Sequence, residues 1–332
     1  MAAFPEPFVS LLVNGVDVGS ELAPYLIDFA WTDNLHGKAD EIAVTLRDDT
    51  GLWRGAWRPE QGDIVTVPAI GYRGGAFVPA GLFQVDIPSA SGSRGNDTLK
   101  FRAISAFPET TQRTLKSKGH ENTTLEKIIQ DVGGRHGLTI KGAIEAVNFV
   151  YKRQRRERDL EFIKRLAEDF GHFVSIKDGA LVFFKREDIE SQGPVRTLEI
   201  SDLAAGTRWS AKEKTDKTYS KARVRYLKGE NKRLITQEVQ DLSAPAGDTL
   251  EIDERVEDED QAKKLAKSRL AKANEDRRTA RVTVIGDPLL IAGQVIALGS
   301  SFGKYAGNYL THVSKHRQKR ANYTTALELK GV

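Results

Sequence analysis

The chain has 332 residues, no cysteine, 39% apolar and 29% charged residues, and a formal net charge of +4. That length suits two or three domains of about 100 to 150 residues, and the lack of cysteine excludes disulfides, thiolate metal sites and cysteine nucleophiles. No apolar run reaches the roughly 18 residues of a membrane-spanning helix, and the start, MAAFPEPFVSLLVNG, lacks the basic and apolar regions of a secretory signal, so synthesis in a cytoplasm is expected.

Residues 1–110 read as strands separated by turns. Asn14-Gly15 is a hairpin signal, and Ile42, Val44 and Leu46, then Phe83, Val85 and Ile87, then Leu99, Phe101 and Ala103 alternate with polar neighbours. Half-buried strands of this kind predict an antiparallel barrel or sandwich.

The period changes over residues 111–190. Leu125, Ile128, Ile129 and Val132 fall at helical spacing, with Thr123 or Thr124 as cap and Gly133-Gly134 as the expected end. In ERDLEFIKRLAEDFGHFVSIKDGALVF, residues 157–183, Asp159 is the expected N-cap of a second helix. Leu160, Ile163, Leu166, Ala167 and Phe170 form its apolar face, and Gly171 is placed for a left-handed cap. A hairpin of 173–177 and 180–184 turned at Asp178-Gly179 follows.

After SQGP at 191–194 strands resume, with Ala222, Val224 and Tyr226 alternating against Arg223 and Arg225. A third helix, 258–274, has acids first and bases later, in the sense of the helix dipole. Strands return at the end, where Tyr323, Thr325, Leu327 and Leu329 share a face. The two β regions echo each other faintly: Gly62, Gly81 and Leu99 parallel Gly293, Gly307 and Leu327, at spacings of 19 and 18 residues against 14 and 20.

Charge divides unevenly along these boundaries. There are 8 basic and 14 acidic residues in 1–110, 16 and 13 in 111–190, and 26 and 19 in 191–332. An acidic front and a basic rear suit either nucleic acid at the rear or self-association through unlike regions of neighbouring copies.

The motifs that carry chemistry are sparse. GSSFG at 299–303 fits a nucleophile elbow around Ser301, but another strand follows where that motif needs a helix, and Glu328 is the only later acid. A serine hydrolase using Ser301 is therefore the weakest reading. His312 and His316 are four apart on an alternating segment, which separates them by about 13 Å on a strand and argues against a shared metal. YKRQRRERD at 151–159 is the best phosphate-contact candidate, yet it has one aromatic and is followed at once by acids, so a solvated or subunit-facing stretch is the preferred expectation. A basic nucleic-acid-binding or late-regulatory protein is the alternative. No P-loop or dinucleotide fingerprint is present.

Taken in order, these stretches resemble the phage tail protein D family, the baseplate hub proteins of contractile-tailed phages and phage-like particles. The 157–183 stretch is similar to that family's central helix and hairpin. GDIVTVPAIGY with GLFQVDIPS resembles its N-terminal barrel, TTLEKIIQDVGGRHGL its first helix, and YLTHVSKHRQKRANYTTALEL its closing strands. The positions carrying the match are Asp159, Leu160, Phe162, Arg165, Leu166, Gly171, Asp178, Gly179, His316 and Tyr323, all expected to be structural.

The resemblance implies a mainly β fold with an α+β insert. Two tube-like antiparallel β-barrel domains, 1–110 and 191–332, are joined by a small helix and hairpin domain at 111–190, with exchange of strands between domains left open. It implies a homotrimer whose six barrels form a pseudo-sixfold ring between the tail tube protein and a threefold spike, with other baseplate proteins as further partners. The family includes the longer type VI secretion spike proteins, so the spike is expected to be a separate chain. No catalytic residue, cofactor, metal, small-molecule substrate or peptidoglycan cleavage is expected, nor nucleic-acid or membrane contact. The expected place is a virion tail or phage-like particle assembled in the bacterial host cytoplasm.

Overall fold

Alternation and turn chemistry decide most of the elements in the computed structural model, which describes residues 6–105, 114–214, 216, 218–228, 233–244, 247–319 and 322–332. The boundary expected at 110/111 lies outside the described residues. The first region supplies β1 (Pro7–Val13), β2 (Val16–Asp17), a one-turn helix α1 (Gly19–Leu22), β3 (Leu26–Asn34), β4 (Glu41–Arg47), β5 (Ile64–Tyr72), β6 (Phe77–Val78), β7 (Gly81–Ser91) and β8 (Thr98–Ile104). The middle supplies β9 (Lys116–Thr124), α2 (Leu125–Arg135), β10 (Thr139–Gly142), β11 (Asn148–Glu157), α3 (Asp159–Asp169), β12 (His172–Lys177), β13 (Ala180–Lys185) and α4 (Arg186–Glu190). The last region holds β14 (Arg196–Leu198), β15 (Ser210–Glu213), β16 (Tyr219–Lys228), β17 (Arg233–Gln240), β18 (Asp248–Ile252), α5 (Glu259–Asn274), β19 (Arg278–Ile285), β20 (Val295–Leu298), β21 (Gly307–Lys319) and β22 (Asn322–Gly331).

The protein is mainly β and mainly antiparallel. One sheet runs β15-β19-β22-β21-β3-β4-β8-β7-β5-β1-β2, with β6, β14 and β20 paired off that path. Among the described strands this path has two ends, and no closed barrel is present where two were expected. The reason lies in the pairing: β3 bonds to β4 on one side and to β21 on the other, His316 opposite Trp31 and Lys315 opposite Thr32. The first and last regions are thereby one continuous sheet. Their cores interpenetrate too, since Tyr323 of β22 packs among Phe29, Trp31, Ile42 and Val44.

The expected inward faces are observed for Ile42, Val44 and Leu46, for Leu99, Phe101 and Ala103, and for Tyr323, Thr325, Leu327 and Leu329. Ile87 departs from its row. A bulge between Val85 and Ile87 slips the register against β8, so Phe83 and Val85 are buried while Ile87 is half exposed.

Helix α2 starts as expected, the Thr124 hydroxyl accepting the Lys127 N–H at 3.1 Å. It does not stop at Gly133-Gly134 but runs to Arg135, and the left-handed residue is Gly137. Gly133 is there for contact: a Cβ on it would meet Ile140 Cδ1 at 2.5 Å. Helix α3 is capped by Arg158, whose N–H is taken by Glu161 at 3.1 Å; Asp159, expected as the cap, is the first helical residue and is buried. Asp258 caps α5, accepting the Gln261 N–H at 2.8 Å. Ala262, Leu265, Ala266 and Leu270 of α5 pack on Ala222, Val224 and Tyr226, so one face of the β17-β16-β18 sheet is covered.

Gly171 follows α3 at φ +72°, and β12 and β13 turn at Asp178 (φ +49°) and Gly179 (φ +69°). A Cβ on Gly171 would meet only Ser268 Oγ, at 4.0 Å, so replacing it costs conformational strain alone. Gly171→Ala is expected to lower stability by about 1 kcal/mol. Gly134→Ala, at a helical position with open space around it, is expected to raise stability by a similar amount; paired thermal melts check both.

Candidate functional site

The middle region meets the other two at a joint built on the β12–β13 hairpin and α3. An apolar patch at its centre draws on all three regions: Leu35 after β3, Phe173 of β12, Ile189 of α4, Val295 of β20 and Leu310 of β21, all buried. Each contributes about 2 kcal/mol by leaving water.

Three ion-paired nodes surround that patch. Lys177, the last residue of β12, donates to Asp33 and, at 2.9 Å, to Asp40 Oδ2. The second oxygen of Asp33 accepts the Ala292 N–H at 2.8 Å, and that of Asp40 accepts the Asn34 N–H at 2.8 Å. One ammonium thus ties the middle region to the first, while one of its carboxylates ties the first to the last. Burial pushes the Asp40 carboxyl up to about 7, with Lys177 opposing and Asp33 adding to the rise. Burial pulls the Lys177 ammonium down, but Asp40 and Asp33 outweigh it and leave Lys177 above its ordinary value.

At the second node His36 Nδ1 accepts the Val174 N–H at 2.9 Å, which leaves Nε2 as the donor to Glu168 at 3.0 Å. Lys272 of α5 donates to the same carboxylate. Burial works against the charge on Glu168, but the bonds from His36 and Lys272 bring its carboxyl down to about 2. The third node centres on Glu275, reached by Arg186 at 2.7 Å and Lys330 at 2.9 Å, with His312 at 3.7 Å. Burial again opposes, and Arg186, His312 and Lys330 bring Glu275 down to about 2. The Arg186 guanidinium lies 4.4 Å from the centre of the Phe173 ring.

The residues singled out in the sequence fall into two groups. Asp159 sits fully buried at the start of α3, where its carboxylate accepts from Lys116 at 2.6 Å, Arg135 at 3.1 Å, His136 at 3.0 Å and Gln154 at 3.0 Å. Burial alone would raise this acid, yet the donors, Lys116 first, hold it below the usual carboxylate range. Phe162 and Leu166 are core residues beside Ile128 and Phe183, with Leu160 half-buried at the margin. Arg165 clasps Glu157 with two bonds, of 2.9 and 2.8 Å.

His316 and Tyr323 form the second group, on β21 and β22. Ser314 Oγ donates to the Leu290 carbonyl at 2.5 Å and so accepts from His316 Nε2 at 3.1 Å, while the Tyr323 hydroxyl donates to Nδ1 at 2.8 Å. The ring stacks on Trp31 of β3, with centroids 4.9 Å apart. His316 thus occupies a fully bonded core position.

Ser301 lies in a 3-10 turn over Ser300–Tyr305, exposed. Its hydroxyl donates to Glu199 and accepts the Ile200 N–H at 2.9 Å, and among the described residues no histidine bonds to it. The run at 151–159 is mostly strand β11, paired to β9 on one side. The joint residues Asp33, Asp40, His36, Glu168 and Lys177 carry no local signature, because the partners that tie them across regions are 104 to 259 positions away.

Comparison with known proteins places this arrangement. The profile described as "Phage tail baseplate hub (GPD)" matches residues 89–320. The "Probable baseplate hub protein" of Escherichia phage P2 is 30% identical over 181 residues, which cover 54% of this chain and 45% of that protein. The match thus spans less than half the length of the curated relative. Among solved structures, the 43 kDa tail protein of prophage MuSo2 from Shewanella oneidensis superposes with a TM-score of 0.75 at 16% identity, covering 97% of this chain and 98% of that one. The tail protein from Neisseria meningitidis MC58 gives 0.72 at 14% identity, with 98% and 96% covered. The likenesses show a shared fold, and the profile spans more than half the chain: this protein belongs to the phage tail baseplate hub (GPD) family, and its place is the tail baseplate.

Proposed function

We propose that the chain is a structural hub that assembles as a homotrimer and joins a sixfold tail tube to a threefold spike. In this reading the parts 1–110 and 191–332 act as two tube-like β domains, so three chains offer six similar faces to the tube. The 111–190 unit spaces and locks them. The residues carrying the family likeness, from Asp159 through Gly179 and at His316 and Tyr323, serve as scaffold, and no bond is made or broken by the chain.

The observation that carries this reading is the β3–β21 pairing braced by three ion-paired nodes. It joins the two β regions without a hinge, as a load-transmitting element requires. The acidic first part and basic last part would place unlike charge at each contact around a ring. Sedimentation equilibrium across a concentration series, alone and with the tube and spike proteins of the same particle, tests it. Trimers that weaken as salt rises are expected; a monomer at every concentration and with both partners present would overturn the proposal.

A further inference from the structure

The basic run at 151–159 is not used by the hub reading, and the fold gives it a definite setting. Lys152, Arg153 and Arg155 of β11 line an open cleft of about 560 Å³ together with Asp253, Glu254, Arg255 and Glu257. Arg165 adds to the wall.

Most carboxylates at this cleft are already occupied. Glu157 is held by Arg165, Glu254 by Arg269 at 2.7 Å, and Glu257 by the N–H groups of Val150 and Tyr151 at 2.6 and 2.9 Å. Among the described residues, Lys152, Arg153, Arg155 and Arg255 have no carboxylate within ion-pair distance. Lys152 is the most telling of them. Its ammonium lies against two rings, 5.4 Å from the centre of Phe149 and 5.6 Å from that of Phe170. Burial holds it below its ordinary value, with Asp169 pulling the other way.

The outer edge of β11 is closed to an added strand. Glu257 takes the N–H groups at its start, Arg165 donates to the Arg153 carbonyl at 3.2 Å, and Glu157 takes the Arg155 N–H at 3.0 Å. Recognition here falls to the side chains.

We propose that this cleft is a docking site for an acidic, extended segment of a partner protein, whose carboxylates pair with Lys152, Arg155 and Arg255. The inference does not rest on the trimeric reading. A protein segment fits better than nucleic acid for two reasons. The carboxylates of Asp253, Glu254 and Glu257 stay at the wall and repel a duplex carrying a phosphate every ~1.7 Å, whereas alternate side chains of an extended peptide are about 6.6 Å apart and can interleave with them. The cleft also offers one exposed aromatic ring, Tyr151, where single strands need a stacking series.

The probe is a fluorescein-labelled hexaglutamate peptide, followed by anisotropy at low salt on the full chain. Arg155→Glu with Arg255→Glu, both exposed, is expected to weaken binding about tenfold or more with an unchanged melting temperature, and Lys152→Gln to weaken it as well. Lys263→Glu with Lys267→Glu, two exposed residues of α5 at a separate cleft of mixed charge, is expected to leave binding within about twofold. The proposal is overturned by no binding, by equal loss in the control pair, by no loss in the Arg155 and Arg255 pair, or by tighter binding of a single-stranded oligonucleotide of equal charge.

Discussion

Lys177→Met is expected to lower stability by about 3–5 kcal/mol and the melting temperature by about 10 °C. Methionine keeps an unbranched apolar stem of comparable length, so packing around β12 is retained. What is lost is the one ammonium shared by Asp33 and Asp40, two side chains that are almost entirely buried. An uncompensated buried charge is what makes such a change severe. The cost therefore belongs to the carboxylates, and removing their charge should return much of it. Lys177→Met with Asp33→Asn and Asp40→Asn is expected to recover more than half of the lost stability. Thermal melts of the single and triple variants measure this, and a single variant within about 2 °C of the parent would show that the joint does not depend on charge.

Acid should destabilise the fold well before ordinary carboxylates titrate. Burial holds His172, His312 and His316 each down to about 4, against an ordinary value of 6.5. A histidine that resists protonation when folded but accepts it when unfolded favours the unfolded chain as pH falls below 6.5. The stability these three contribute is complete above that value and disappears as pH falls toward 4, by about 2 kcal/mol for each histidine at pH 5. Asp40 runs the other way. Its folded value of about 7 lies above its ordinary 3.8, so protonation favours the folded state and offsets roughly one of the three histidines. Glu168 and Glu275, both brought down to about 2, withdraw their support only below the ordinary value of 4.5. Melting temperature measured from pH 7.5 to 4.5 should therefore fall through pH 6 to 5. A flat profile would mean that these rings are protonated in the folded protein.

Local pattern was enough to read the alternating strands, the three long helices and the turn at Asp178-Gly179, because each depends on neighbours within a few positions; the charged β9–β11 pair, which lacks that alternation, was not legible. Local pattern failed where a distant partner overrides the local rule. Ile87 follows a perfect alternation and still points outward, since a bulge against β8 shifts it. Asp159 has the position of a cap but is drawn inward by Lys116, Arg135 and His136. Gly133-Gly134 looks like a helix stop, yet the helix runs through both to Arg135, and Gly133 is a packing contact with Ile140. The joint was the least legible part. Asp33 lies in an ordinary alternating strand, and nothing nearby signals that Lys177, 144 residues on, will neutralise it. The β3–β21 pairing was hidden in the same way: His316 lies opposite Trp31 from 285 positions away, and periodicity cannot say which strands pair.

That pairing also bears on how the protein is made. Strand β3 ends at Asn34 and its partner β21 begins at Gly307, with Arg317 reaching Asp28 at 2.9 Å across 289 positions. During synthesis β3 must wait, one edge unpaired, until β21, which begins 273 positions later, has left the ribosome. At about 5–20 residues per second that wait lasts on the order of tens of seconds. An open strand edge in a nascent chain is an invitation to pair with a neighbour. Chains translated side by side on one message are therefore the setting in which this fold is most exposed to mispairing, and the middle region, whose own core is local, can fold in the interval.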